Sequence, residues 1–162
     1  MSGTAGTGRT EKSGTFLVTA ADPESLVLAD VSDRQVHTLE ENPGLDRDTV
    51  VDATLSTRPP MHVVWRLDAV ESTREIEVLV SDQRPTRASS ETASTLSAGD
   101  VAVEQRAGDG AIHVISVPLE TTGQAVEEIA ADSETRFKAA RLGARLVEIR
   151  SEPGLVTVRY LP

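Results

Sequence analysis

The chain has no cysteine in its 162 residues. That excludes disulfides, thiolate zinc sites, iron–sulfur clusters and a Cys nucleophile. Aromatic residues are scarce: two Phe, one Trp and one Tyr. Base-stacking platforms for nucleic acid are correspondingly few. No apolar run approaches the roughly 18 residues of a membrane span, so no membrane association is expected. The opening MSGTAGTGRTEKSG has no apolar stretch of the kind a secretory signal carries, and the expected location is cytoplasmic. Lysine is nearly absent as well, with Lys12 and Lys138 against 14 Arg. The G-x-S-x-G elbow, the G-x-x-x-x-G-K-[ST] phosphate loop and a G-x-G-x-x-G opening a helix are all missing. Hydrolase, P-loop and dinucleotide chemistry are therefore not expected. We assign no catalytic residue and no cofactor, and read the chain as non-enzymatic.

Acid is abundant. Asp and Glu number 26 against 16 Lys and Arg, for a net charge of −10. Such a chain repels itself at low ionic strength. Molar salt shortens the screening length to about 3 Å and removes most of that cost. The acid-rich, Lys-poor, Cys-free composition predicts a cytoplasmic protein of a salt-loving archaeon. In that setting acidity is background and does not announce a basic partner.

Along the chain, residues 1–13 carry Gly, Thr, Ser and charge without apolar period and read as a disordered tail. Residues 14–80 read as six short strands. Phe16, Val18 and Ala20 alternate with Thr15, Leu17 and Thr19, Val51, Ala53 and Leu55 with Asp52, Thr54 and Ser56, Val63, Trp65 and Leu67 with His62, Arg66 and Asp68 (Val64 excepted), and Ile76, Val78 and Val80 with Glu75 and Glu77. Asp22-Pro23-Glu24-Ser25 and Glu41-Asn42-Pro43-Gly44 are turn signals between them. Short strands about ten residues apart, without intervening helices, predict a small antiparallel β-barrel or sandwich. Residues 81–90 read as a linker. Residues 91–162 then read as an α-β-α-β-β unit with a small mixed sheet. Its elements are a weak helix over 91–106, a strand near 111–117, a helix from Thr121 to Gly143 and two final strands. Thr121 and Gln124 have capping-box spacing, Asp132-Ser133 marks a kink or second cap, and Gly143 sits where a helix ends. The fold class is α+β.

Candidate sites are few. His37, His62 and His113 lie in strand-like segments without H-x-H or H-x-x-x-H spacing, so we assign no metal site. Glu40-Glu41, Asp46 with Asp48, and Glu127-Glu128 are the closest acid pairs and read as solvated surface. Arg136, Lys138, Arg141, Arg145 and Arg150 form the one local excess of positive charge. The first four are candidate nucleic-acid contacts. The competing account is that cations near a helix C-terminus complement its dipole, and we favour it. Residues 1–80 carry 14 acids and seven bases, and residues 81–162 carry 12 and nine. The barrel-like half is the more acidic one, which disfavours nucleic acid there.

Three segments carry a resemblance: Thr10-Glu11-Lys12-Ser13-Gly14-Thr15-Phe16-Leu17-Val18-Thr19, Pro59-Pro60-Met61-His62-Val63-Val64-Trp65, and Val156-Thr157-Val158-Arg159-Tyr160-Leu161-Pro162. Together the chain resembles a small haloarchaeal family of unknown function over residues 10–162. The resemblance implies an acidic, stand-alone cytoplasmic protein and supplies no site residue. The leading expectation is a binding or adaptor protein with a protein partner. The competing one is a single-stranded RNA-binding protein that uses the barrel face and the basic helix end.

Overall fold

Phe16 and Val18 alternate with Thr15, Leu17 and Thr19, and Leu26 and Leu28 with Ser25 and Val27. A period of two buries one face of a strand. In the computed structural model, which describes residues 10–57, 63–105 and 110–162, these runs become β1 (Thr10–Asp22) and β2 (Ser25–Asp30). They are followed by β3 (Val36–Leu39), β4 (Thr49–Thr57) and β5 (Trp65–Glu75). β1 is long enough to serve two partners, pairing antiparallel with β4 over Thr10–Leu17 and with β2 over Phe16–Asp22. β2 pairs with β3, and β4 with β5, again antiparallel. The order β1-β2-β3-β5-β4 is thus a ring. Its last seam is a single parallel pair, Leu39 with Trp65. The ring is barrel-like but no full ladder seals it. Phe16, Val18, Leu28, Val51 and Leu55 fill its interior. A bulge between Val18 and Ala20 turns Ala20 outward.

The chain divides into two units, Met1–Glu75 and Ile76–Pro162. The second is built on the sheet β6-β9-β10-β8-β7. Its strands are β6 (Glu77–Val80), β7 (Val101–Gln105), β8 (Ala111–Ser116), β9 (Leu146–Glu152) and β10 (Leu155–Leu161). Helix α1 (Arg87–Ala93) lies on one face, where Ile112, Val114 and Leu155 meet Ala93 and Leu96. Helices α2 (Thr122–Ala131) and α3 (Ser133–Leu142) belong to the other core, with Val147, Ile149, Val156 and Val158. β10 is buried on both faces, which explains its nearly continuous apolar run.

The α+β class and the mixed second sheet are as expected, with four corrections in the details. The alternating run at 76–80 leaves the ring. Ile76 and Val78 pack into the second core, and β6 pairs parallel with β9. Strand β1 starts at Thr10, so residues 10–13 are strand; residues 1–9 lie outside the described residues. The weak helix over 91–106 is instead α1, which starts at Arg87 within the expected linker, followed by β7. Thr86 caps α1 by accepting the Ser89 amide at 3.2 Å. Thr121 makes no side-chain cap. The chain enters α2 through a 3-10 turn, Leu119–Thr121, and Thr122 Oγ1 accepts the Gly154 amide at 2.9 Å. Asp132 does re-cap, accepting the Glu134 amide at 2.9 Å, and Gly143 ends α3 at φ 72°. β8 and β9 run in the same direction, as a crossover requires, but β10 lies between them.

Candidate functional site

One end of the ring carries an open hollow between two loops. The β1–β2 turn is held by Asp22, whose carboxylate accepts the Glu24 and Ser25 amides and the Ser25 hydroxyl at 2.7–2.8 Å. After β3, Asn42 organises the next turn. Its amide nitrogen donates to the Asp22 and Leu45 carbonyls, and its oxygen accepts the Gly44 and Leu45 amides. Two polar side chains thus brace adjacent loops. Between the loops lies an open groove of about 720 Å³, lined by Pro23, Glu24, Thr38, Glu40 and Glu41 among others. A second hollow of about 300 Å³ shares Glu40 and Glu41 and continues to Val64, Trp65 and Arg66. A third, of about 200 Å³, is lined by Glu41, Asn42, Pro43 and Leu67. The three meet at residues 40–43, beside the Leu39–Trp65 seam. Glu24, Glu40 and Glu41 are exposed carboxylates, with Arg66 the cation across the seam.

Trp65 shares the inward phase with Leu67, as the alternation predicts. It is half-buried rather than fully buried, packing on the ring core from the seam. Behind it stands His37, 3% exposed, which falls on the same phase as Leu39. The His37 ring meets Trp65 edge-on at 4.5 Å and Phe16 at 5.7 Å. Neither ring nitrogen has a hydrogen-bond partner among the described residues. Burial lowers its pKa, Lys12 adds to that, and Asp30 and Asp33 oppose it. Lys12 bridges Asp30 at 3.1 Å and Asp33 at 3.2 Å. Burial pushes the Asp30 carboxyl up, but the Ser32 hydroxyl and amide and the Lys12 ammonium outweigh it and hold the group at about 2.

The basic residues have separate surroundings. Arg136 Nη1 donates to the Ala130 and Asp132 carbonyls at 2.9 and 3.2 Å, at the C-terminal end of α2. Lys138 is half-buried and, after burial, is the second influence lowering the pKa of His113. Arg141 lies exposed in the last turn of α3. Arg145 is exposed, and its backbone joins neighbouring strands: its amide donates to Leu161 and its carbonyl accepts from Glu77, both at 2.8 Å. Arg150 turns inward to Glu148 at 3.1 Å. His113 packs edge-on against Tyr160 at 5.1 Å; His62 lies outside the described residues. Among the described residues no three of His, Asp and Glu gather to hold a metal. In sequence Glu40-Glu41 reads as solvated surface, and His37 as a strand residue without metal-ligand spacing. The available signal was the shared phase of His37 and Leu39, next to a Pro-Gly turn.

In the first unit β1, β2 and β3 follow one another and β4 returns beside β1. That is a Greek-key ring of five strands, partly open, the architecture of OB-type barrels. The chain belongs to a family described as a family of unknown function, DUF5812, which it matches over residues 12–151. Neither the curated proteins nor the solved structures include a match to it. Architecture of this kind hosts many functions, so the reading rests on the groove.

Proposed function

We propose that the protein is a non-enzymatic binding protein, an adaptor whose ring takes an extended basic protein segment into the acidic groove. The observation that carries this reading is the meeting of three hollows at Glu41, two of them also lined by Glu40 and one of those by Trp65. Exposed carboxylates suit Arg or Lys side chains, and an indole suits their aliphatic stems or, over its face, guanidinium planes. The same carboxylates repel phosphate, which argues against single-stranded RNA at this end of the ring. The basic helix end supports the RNA alternative weakly, since Arg136 is already engaged with α2 carbonyls. On composition, we place the protein in the cytoplasm of a salt-loving archaeon. In molar salt the charge attraction shrinks, and contact with Trp65 supplies most of the affinity.

Calorimetric titration with extended peptides of basic, neutral and acidic composition tests the reading. Saturable binding is expected for the basic peptide alone. Replacing Glu40 and Glu41 together by Gln removes two exposed charge contacts worth about 0.2–1 kcal/mol each and weakens binding roughly 2- to 30-fold. Equal affinity for all three peptides, or indifference to the double change, contradicts it.

A further inference from the structure

His37 is a buried base with nothing to hold its proton. Its ring sits in the ring interior between Phe16 and Trp65, with both nitrogens unpartnered among the described residues. A neutral imidazole tolerates that setting better than an imidazolium, because the charged form loses far more hydration on burial. The charged groups that act on it are Lys12 from β1, Asp30 from the end of β2 and Asp33 from the β2–β3 turn. Lys12 is already bound to both aspartates, so neither carboxylate is free to serve the imidazolium alone. The aromatic faces of Phe16 and Trp65 attract a cation. Burial and Lys12 outweigh the two carboxylates, and the shift of the His37 pKa is downward. Trp65 in turn makes the single pair with Leu39 that joins β3 to β5. The side chain that contacts His37 thus belongs to the weakest seam of the ring.

We propose that His37 is an acid-sensitive latch: its protonation displaces Trp65 and opens the seam between β3 and β5. The latch goes beyond the proposed binding role and is testable without any ligand. Below the latch pH the border of the groove moves with Trp65. The sign follows from the neutral form being the one the fold accommodates. Closure is complete above the unfolded histidine pKa of about 6.5 and is lost as pH falls below it.

Trp65 is the chain's single tryptophan, so its emission reads the seam directly. The experiment follows emission and far-ultraviolet circular dichroism of the full chain from pH 8 to 4.5 at constant salt, with no peptide present. A reversible red shift with a midpoint below 6.5 and retained strand signal is expected. His37→Phe keeps an aromatic ring and should abolish the shift, while His62→Gln should leave it intact. The His37 ring-proton resonance of the unmodified chain gives a readout that does not depend on a variant folding, and should titrate below 6.5. An emission that stays flat over this range, a shift unchanged in folded His37→Phe, or a His37 resonance titrating at or above 6.5 would overturn the latch. Loss of peptide binding alone bears on the groove and not on this inference.

Discussion

Asp30 shows how one residue can be read in energy. Its side chain is 8% exposed and has Lys12 on one oxygen and the Ser32 amide and hydroxyl on the other. Its carboxyl is held at about 2 against an ordinary value of 3.8. A carboxylate with a depressed pKa adds stability in full above 3.8, and that stability is lost as pH falls through about 2. The difference corresponds to about 2 kcal/mol. Asp30→Asn should therefore cost about 2 kcal/mol in urea unfolding at pH 7, and the gap should narrow as pH drops from 4 to 2. A gap independent of pH would mean that packing, not charge, is what Asp30 supplies. At this scale the sequence was informative about phase but not about neighbours. The alternation in β1 and β4 placed Phe16 and Val51 inside. Nothing in one strand's pattern reveals that His37 meets Trp65 from two strands paired, among the described residues, by the Leu39–Trp65 bridge alone.

Among the elements, α3 and β10 carry the clearest tests. Asp132 caps α3 at an exposed site, so Asp132→Ala should cost about 1 kcal/mol. Thr157 lies in β10, 1% exposed, with a hydroxyl lacking a partner among the described residues. Thr157→Val keeps the shape and removes the stranded hydroxyl. It should raise stability by about 1 kcal/mol in thermal or urea unfolding, and a loss of that size would mean that the hydroxyl is satisfied in solution. Helices α2 and α3 and the last hairpin were legible because long apolar stripes and strong turns, such as Ser151-Glu152-Pro153-Gly154, leave little choice. Helix α1 was hidden because RASSETA is seven residues of mostly polar side chains. It is fixed by tertiary hydrogen bonds, from Ser89 to Glu104 at 3.2 Å and from Ser90 to Glu152 at 2.8 Å. Such partners come from distant strands and leave no local period. The sheet that β6 joins is hidden likewise, since its alternation fits either one, and only the pairing with β9 settles it.

For the whole molecule the dominant fact is charge. With 26 acids against 16 bases, the thermal midpoint should rise from low salt to molar KCl as self-repulsion is screened. A flat or falling midpoint would remove the basis for placing the protein in a salt-loving cell. The acidic bias of residues 1–80 is plain in composition, but its concentration around one groove is not, because Glu24 and Glu40-Glu41 come together through the pairing of β2 with β3, Leu26 opposite Leu39. The central proposal is that this groove takes a basic protein segment and not nucleic acid. The most direct measurement is the emission of Trp65 above pH 7 during titration with an Arg- and Lys-containing peptide, and separately with a single-stranded oligonucleotide. The account predicts a saturable change with the peptide, weakened by the double Glu40→Gln, Glu41→Gln change, and none with the oligonucleotide. Saturation by the oligonucleotide with no response to the peptide would contradict it.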